Sequence, residues 1–473
     1  MWDFFGQRWW YKLAQVCRRW RYLILASASH LRLSLVCTSG TPVADMLAHS
    51  PPFPLIVDYD QSFQHVSAED EEGIILALGQ RNRVRCIYLL LNVALLSKLI
   101  SAIDDEFPAL IFLRLATLSR HDTRMALPPT FEAPHLRYLI LTHFSSPIGC
   151  PFLSAAISLV KISLVWIHPS TYPHPNDFLQ HLSLLPLLEE LHISFRSAVP
   201  SRDIERQLLH TPIITHVTHP NLRIFNFGGV SSFLEAVLAH MAAPLLETFE
   251  MQFFNQLSFS IPHLQNFMMT AENLRFSRAE FIFHHEAVAM FAYARLGSGS
   301  NNFGFSVPCR HLDWQVSSMT QISKDLNQLF SEVVDLTLDY REHTLSPEWH
   351  NQADRTQWRE LLGSFRNVKI LRVHNGLVGD LSRSLQSDGE PPPSLKVLPE
   401  LKELVCPVGC VGDKTFAPLI HEREVAGQPV SLIGNAFPIG RTRYALYSSS
   451  GAIHIEPDPD PLPSPNLPDA WRG

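Results

Sequence analysis

A repeated pattern of hydrophobic and polar positions runs through most of this 473-residue chain. Its core is L-x-x-L-x-L, with other aliphatic or aromatic residues at some of the leucine positions. Ten segments align on it: VRCIYL from Val84, LIFLRL from Leu110, LRYLIL from Leu136, LVKISL from Leu159, LEELHI from Leu188, LRIFNF from Leu222, LETFEM from Leu246, VVDLTL from Val333, VKILRV from Val368 and LKELVC from Leu401. Their alternation predicts a strand in each segment, with one face toward a core.

The spacing of these segments predicts the fold class. Their starts are 26, 26, 23, 29, 34 and 24 residues apart as far as Leu246, and 35 and 33 residues apart from Val333. Helix-like stretches such as SSFLEAVLAH and RTQWRELLGSF stand between them. A unit of this size cannot bury its own apolar face, so neighbours must stack strand beside strand and helix beside helix. We therefore predict an α/β fold, a leucine-rich-repeat-like solenoid whose curved parallel sheet carries helices on its outer face.

Departures from the repeat predict the domain organisation. Residues 1–30 are expected to form short helices, 31–83 a linking region of helix and strand, and 84–433 the solenoid. The period fails around 275–310, near the glycine-rich GSGSNNFG, which predicts hairpin strands that are inserted into the sheet or extend it. The tail, 434–473, is rich in proline and acidic residues and is expected to be disordered.

The N-terminal segment reads as two amphipathic helices. Trp9, Leu13, Val16, Trp20 and Ile24 advance by four, three, four and four residues, the period of one helical face. This predicts that both tryptophans are buried in an apolar stripe. Four interpretations stay open: a nucleic-acid patch, a membrane-surface helix, a helix that only caps the solenoid, and a docking helix for another protein.

The net charge and the lack of catalytic motifs exclude several classes of function. A net charge of −7 and buried tryptophans argue against nucleic acid, so we favour protein docking and expect no nucleic-acid or membrane partner. HHEAV and HEREV lack metal-ligand spacing, and VGDKT lacks the glycine-rich phosphate loop. Cys406 and Cys410 have no second Cys or His pair nearby and are read as core thiols. We predict no enzyme activity, no cofactor and no metal site.

The expected compartment is the cytoplasm or nucleus. The first residues lack the apolar core of a secretory signal, and the seven scattered cysteines suit reduced core thiols.

The stretch LAQVCRRWRYLI resembles the second half of an F-box. The matching residues are Leu13, Val16, Cys17, Arg18, Arg19 and Trp20. Over roughly residues 9–433 the chain is similar to fungal, mainly mushroom-type, F-box proteins with irregular leucine-rich repeats, as in CRHLDWQVSSMTQI and LPELKELVCP. The resemblance implies a small helical F-box remnant before the solenoid.

The same resemblance implies the partners. F-box proteins bind a Skp-type adaptor and join a cullin-RING ubiquitin ligase of the SCF type, and their repeats hold a protein substrate. The family's F-box begins with a Leu-Pro helix upstream of this segment, and the sequence starts too late to contain it. Two expectations therefore stand: the sequence is truncated and the protein is a substrate-recognition subunit, or it is a stand-alone repeat scaffold that has lost adaptor binding.

Strand alternation also predicts a substrate surface. The outward candidates are Tyr138, Ile140, Glu190, His192, Asn226, Glu250, Arg372 and Glu403. This mixture of apolar, acidic and histidine side chains suits a protein or peptide ligand better than phosphates.

Overall fold

The computed structural model describes residues 9–27, 30–31, 33–62, 65–118, 125–168, 172–196, 212–254, 259–294, 302–341, 355–374, 377–385, 397–407 and 415–435. Cys410, the GSGS sequence and nearly all of the predicted tail lie outside the described residues.

Strands make up one large sheet and one small sheet. Their bounds are β1 Leu35–Cys37, β2 Leu55–Asp60, β3 Val84–Leu91, β4 Phe112–Thr117, β5 Tyr138–Thr142, β6 Lys161–Ile167, β7 Glu190–Phe195, β8 Val217–Thr218, β9 Ile224–Gly229, β10 Met241–Ala242, β11 Thr248–Phe253, β12 Arg278–His284, β13 Ala287–Tyr293, β14 Asn302–Pro308, β15 Asp335–Arg341, β16 Ile370–Val373, β17 Glu403–Pro407 and β18 Ser431–Asn435. The strand pair β8 and β10 forms the small sheet.

The other strands form a 16-stranded sheet in the order β1-β2-β3-β4-β5-β6-β7-β9-β11-β14-β13-β12-β15-β16-β17-β18. In the described part of the chain, β13 alone runs antiparallel to its neighbours. The segment β12–β14 is thus inserted between β11 and β15, because β14 pairs in parallel with β11 and β12 with β15. The fold is α/β, with a large, mostly parallel sheet and helices in a solenoid-like arrangement.

The first two α-helices precede β1, and the other described α-helices lie between strands along the chain. Their bounds are Trp9–Val16, Arg18–Ala26, Val43–His49, Ala68–Leu78, Val93–Ile100, Pro151–Ala155, Pro175–Ser183, Ser231–Leu238, Pro262–Thr270, Leu312–Asp325, Asn327–Phe330, Arg355–Gly363, Val378–Leu385 and Ala417–Val425, with a 3-10 turn at Ser101–Ile103. Residues 31–83, which we predicted as a linking region, contribute β1 and β2 to the same sheet.

The repeat pattern explains where the strands lie. Nine of the ten aligned segments become strands that begin two residues after the segment start, as at Leu136 and β5. Their inward residues and the buried helix residues share one continuous hydrophobic core. At its centre the rings of Phe225 and Phe249 stand 5.2 Å apart, and those of Phe249 and Phe303 stand 6.4 Å apart. Each repeat is therefore stabilised by apolar contacts with its neighbours.

A local sequence signal sets the start of the helix Ala68–Leu78. Ser67 begins the helix Ala68–Leu78 with a capping box: its side chain accepts a hydrogen bond from the Asp70 amide, and Asp70 accepts one from the Ser67 amide. This satisfies two backbone N–H groups that a helix start leaves without partners.

Candidate protein-binding surfaces

The described helices share a core with one face of the sheet, and we call the opposite face the open face. It is not exposed throughout: on the inserted strands, Glu280, Ile282 and Ala289 are buried. In the repeat strands, buried and half-buried residues alternate, as in β5 and β7, and the inward set belongs to the core shared with the helices. The outward set forms the open face.

Because the strands pair in register, open-face residues form rows across the sheet. The first row is Val36, Ile56, Cys86, Phe112, Tyr138, Lys161, Glu190, Ile224, Thr248, the backbone position of Asn302, Tyr293, Arg278, Asp335, Ile370, Glu403 and Ser431. The second row is Asp58, Tyr88, Arg114, Ile140, Ser163, His192, Asn226, Glu250, Gly304, Phe291, Glu280, Thr337, Arg372, Val405 and Ile433. The third row is Asp60, Leu90, Ala116, Thr142, Val165, Ser194, Gly228, Gln252, Ser306, Ala289, Ile282 and Asp339.

All eight predicted surface residues lie in the first two rows. Their strands bring together Glu190, His192, Asn226 and Glu250 on the neighbours β7, β9 and β11. Tyr138 and Ile140 lie on β5, which the single strand β6 separates from β7. Arg372 and Glu403 lie on β16 and β17, and the inserted strands β12–β14, followed by β15, separate them from the others. The predicted set is thus one central group with two outlying parts.

A charged cluster occupies the middle of the sheet. The Lys161 ammonium lies 2.5 Å from a Glu190 carboxylate oxygen, and the same oxygen lies 3.3 Å from His192 Nε2. Burial alone would raise the pKa of Glu190, but the hydrogen bond and charge of Lys161 lower it overall. Burial and the Lys161 charge together lower the pKa of His192, so its imidazole is neutral near pH 7.

A second ion pair lies beyond the inserted strands. Arg372 Nε donates to both carboxylate oxygens of Asp335, at 3.0 and 3.2 Å. Asp335 also stands opposite Arg278, whose guanidinium lies 5.9 Å from the centre of the Tyr293 ring. At the N-terminal end, the Arg114 guanidinium lies 4.8 Å from the centre of the Tyr88 ring. Arginine side chains on this face therefore lie against carboxylates or aromatic rings.

The open face carries more acidic than basic side chains. In the three rows eight acidic residues stand against four basic ones, with histidine neutral. The acids are Asp58, Asp60, Glu190, Glu250, Glu280, Asp335, Asp339 and Glu403, and the bases are Arg114, Lys161, Arg278 and Arg372. A partner that is complementary to this face would carry basic side chains.

Sequence reasoning missed several open-face residues. Lys161 occupies the same outward repeat position as Tyr138 and could have been included from the alignment. Phe291 and Gly304 lie outside the repeat, and no local signal placed them beside Glu250.

A second candidate surface is the N-terminal helix pair. The helix Trp9–Val16 ends at Cys17, whose backbone is extended and whose sulfur accepts a hydrogen bond from the Trp20 amide. Trp10 is buried, donates from its indole to the Ser34 carbonyl at 3.3 Å and packs on Phe53. Ile24 is also buried in the shared core. These contacts hold one side of the helix pair against the solenoid.

The prediction that Val16 and Trp20 belong to a buried stripe is wrong. The exposed fractions of Val16, Trp20 and Leu23 are 64%, 47% and 53%. The break at Cys17 interrupts the helical phase, so that residues four apart in the sequence no longer share a face. Of the residues matched to the F-box, Cys17, Arg18 and Arg19 are also exposed, while Leu13 packs partly against the core. The side chain of Trp9 lies outside the described residues.

No helix in the described ranges is long and apolar enough to cross a membrane. Among the same residues, no group of three or more histidine, cysteine, aspartate or glutamate side chains is arranged to hold a metal ion. Cys86, on the open face, is buried, which raises the pKa of its thiol to about 12.

No family model matches the chain, and the search of curated proteins finds no match.

Proposed function

We propose that this chain is a two-surface protein-binding receptor: its N-terminal helices dock on an adaptor protein, and the open face of its sheet holds a second protein. With the resemblance of residues 13–20 to an F-box, the proposed adaptor is of the Skp type, which links to a cullin. The chain would then be the substrate-recognition subunit of an SCF-type ubiquitin ligase.

The observation that carries the docking role is the exposure of Val16, Trp20 and Leu23. Their helix pair is already anchored on its other side by Trp10 and Ile24, so these apolar side chains contribute nothing to that anchor. Val16 ends the first helix, and Trp20 and Leu23 lie on the second. Exposed apolar side chains concentrated in a short segment are typical of an interface, and tryptophan is among the residues that contribute most to binding.

The recognition role is supported by the open face. Its central residues combine charge, hydrogen-bonding groups and aromatic rings on a rigid sheet. Such a surface can bind a protein segment without a catalytic group.

The test is a pull-down of a purified Skp-type adaptor with the full-length chain. Trp20→Ala and Val16→Asp should each weaken adaptor binding at least about tenfold. The matched controls are Trp314→Ala and Val425→Asp, which change a tryptophan and a valine exposed by 46% and 76% on other helices, and they should bind as the native chain does.

Two results would contradict the proposal in different ways. Equal binding by all four variants would place adaptor docking elsewhere on the chain. No binding by the native chain would remove the ligase role and favour a stand-alone scaffold.

A further inference from the structure

We infer that His216 and His240 form a binding site for one divalent transition-metal ion such as Zn²⁺, held by Nε2 of His216 and Nδ1 of His240. The site lies beside the small sheet of β8 and β10 rather than on the open face. It goes beyond the proposed function and does not depend on it.

The small sheet places the two histidines side by side. His216 directly precedes β8 and His240 directly precedes β10, and the strands pair in parallel with Val217 opposite Met241. The Val217 amide donates to the His240 carbonyl at 2.9 Å. Val217 and Met241 are both buried in the shared core. Because pairing and burial already fix this backbone, binding an ion there would cost little ordering of the chain.

The segment before His216 is held as well. Asn176, in the first turn of the helix Pro175–Ser183, accepts hydrogen bonds at Oδ1 from the amides of Ile214 and Thr215, at 3.1 and 3.2 Å. It also accepts one from the Thr215 hydroxyl at 3.1 Å. The His216 imidazole therefore projects from a backbone that is tied to a helix on one side and to β10 on the other.

The two nitrogens stand at the separation that one metal ion requires. His216 Nε2 and His240 Nδ1 are 3.2 Å apart. Two imidazole nitrogens that bind one Zn²⁺ at tetrahedral angles, each about 2.0–2.1 Å from the ion, lie about 3.3 Å from each other. The ring centres are 4.5 Å apart and the ring planes are tilted by 55°. The rings thus meet at an angle rather than end to end, as two imidazoles on one ion do.

The protonation state of the pair suits metal binding. Burial, followed by the charges of His216 and His263, lowers the pKa of His240, so its ring is neutral near pH 7. In the hydrogen-bonded pair one of the two nitrogens carries a proton. When an ion binds, this proton moves to the other nitrogen of its own ring, and both ligands are neutral imidazoles. His216 is exposed and His240 partly exposed, so water can complete the coordination.

The ligand type selects the class of ion. Imidazole suits Zn²⁺, Cu²⁺ and Ni²⁺, whereas Mg²⁺ and Ca²⁺ take oxygen ligands. The sequence-based expectation of no metal site rested on the spacing of residues close together in the chain. His216 and His240 lie 24 positions apart and meet only because β8 pairs with β10.

Isothermal titration of the full-length chain with zinc chloride tests the site. The native chain should bind one Zn²⁺, and His216→Gln and His240→Asn should each raise Kd at least about tenfold. Glutamine and asparagine keep a hydrogen-bonding group near Nε2 and Nδ1 but lack the imidazole that binds the ion. Thermal unfolding of both variants without metal should therefore match the native chain. His135→Ala, which removes an exposed histidine in another repeat, is the matched control and should bind as the native chain does.

One equivalent of Cu²⁺ gives a second, spectroscopic readout. Electron spin-echo modulation counts the imidazoles bound to the copper ion, and it should find two in the native chain and one in each variant. Equal Kd values for the native chain and both variants would overturn the proposal, and so would the lack of Zn²⁺ binding by the native chain. A single bound imidazole in the native chain would overturn it as well, and this measurement decides alone if a variant loses its fold.

Discussion

Replacing Glu235 by glutamine should change how the stability of this protein depends on pH. Glu235 lies in the helix Ser231–Leu238 and is buried, with 7% of its surface exposed. Its carboxylate accepts hydrogen bonds from the backbone amides of His263 and Leu264, at 2.7 and 3.0 Å. It thereby caps the first turn of Pro262–Thr270, the helix of the next repeat.

Burial raises the pKa of Glu235 from 4.5 to about 7, and the Asp325 charge adds to this, while the two amides act in the opposite direction. Between these values the folded protein holds a proton that the unfolded chain has released. The free energy of unfolding therefore falls as pH rises toward the folded pKa. By linkage, the loss between about pH 5 and about pH 8 is on the order of 2–3 kcal/mol.

Urea unfolding followed by tryptophan fluorescence, from about pH 5 to about pH 8, measures this effect. Glutamine cannot titrate, so the difference in unfolding free energy between Glu235→Gln and the native chain should change by about 2–3 kcal/mol in favour of the variant as pH rises. Hydrogen exchange at Pro262–Thr270 should report the same trend locally. Stability curves that stay parallel across this pH range would refute the reasoning.

Two further predictions concern stability alone. Ser67→Ala removes half of the capping box and should lower the free energy of unfolding by about 1 kcal/mol in urea titrations, with Ser232→Ala, an exposed serine inside a helix, as the neutral control. Trp358→Ala should lower the free energy of unfolding by about 3–5 kcal/mol. Trp358 is fully buried, its ring centre lies 5.4 Å from that of Phe283, and the cavity left behind cannot close completely. A cost below about 1 kcal/mol would show that the repeat can collapse around the missing ring.

Local sequence signals located the repeat strands and several helices. The period-two pattern at Leu136 or Leu246 fixes which residues face the core, because a shift by one residue would bury polar side chains. The serine and acids at the start of Ala68–Leu78 fix where that helix begins, since they satisfy its first amides. The predicted open-face residues follow from the same alternation.

Other features needed the tertiary structure. The sequence left open whether the strands near 275–310 extend the sheet or are inserted in it, because pairing between distant strands depends on contacts that no local pattern encodes. Trp166 has a φ of 58° at a β-bulge in β6, a conformation that side-chain type does not predict.

Hydrophobic periodicity alone predicted the α/β class, the stacked parallel strands and the face on which each repeat residue lies, because this periodicity is a local consequence of burial. Only the tertiary structure shows that Val16 and Trp20 are exposed. The periodicity treated residues 9–24 as one continuous helical face, whereas the chain forms two helices that are separated at Cys17. The tertiary structure also shows that Glu250, Gly304 and Phe291 are neighbours, because the inserted strands place Gly304 beside Glu250, which lies more than fifty positions earlier in the chain.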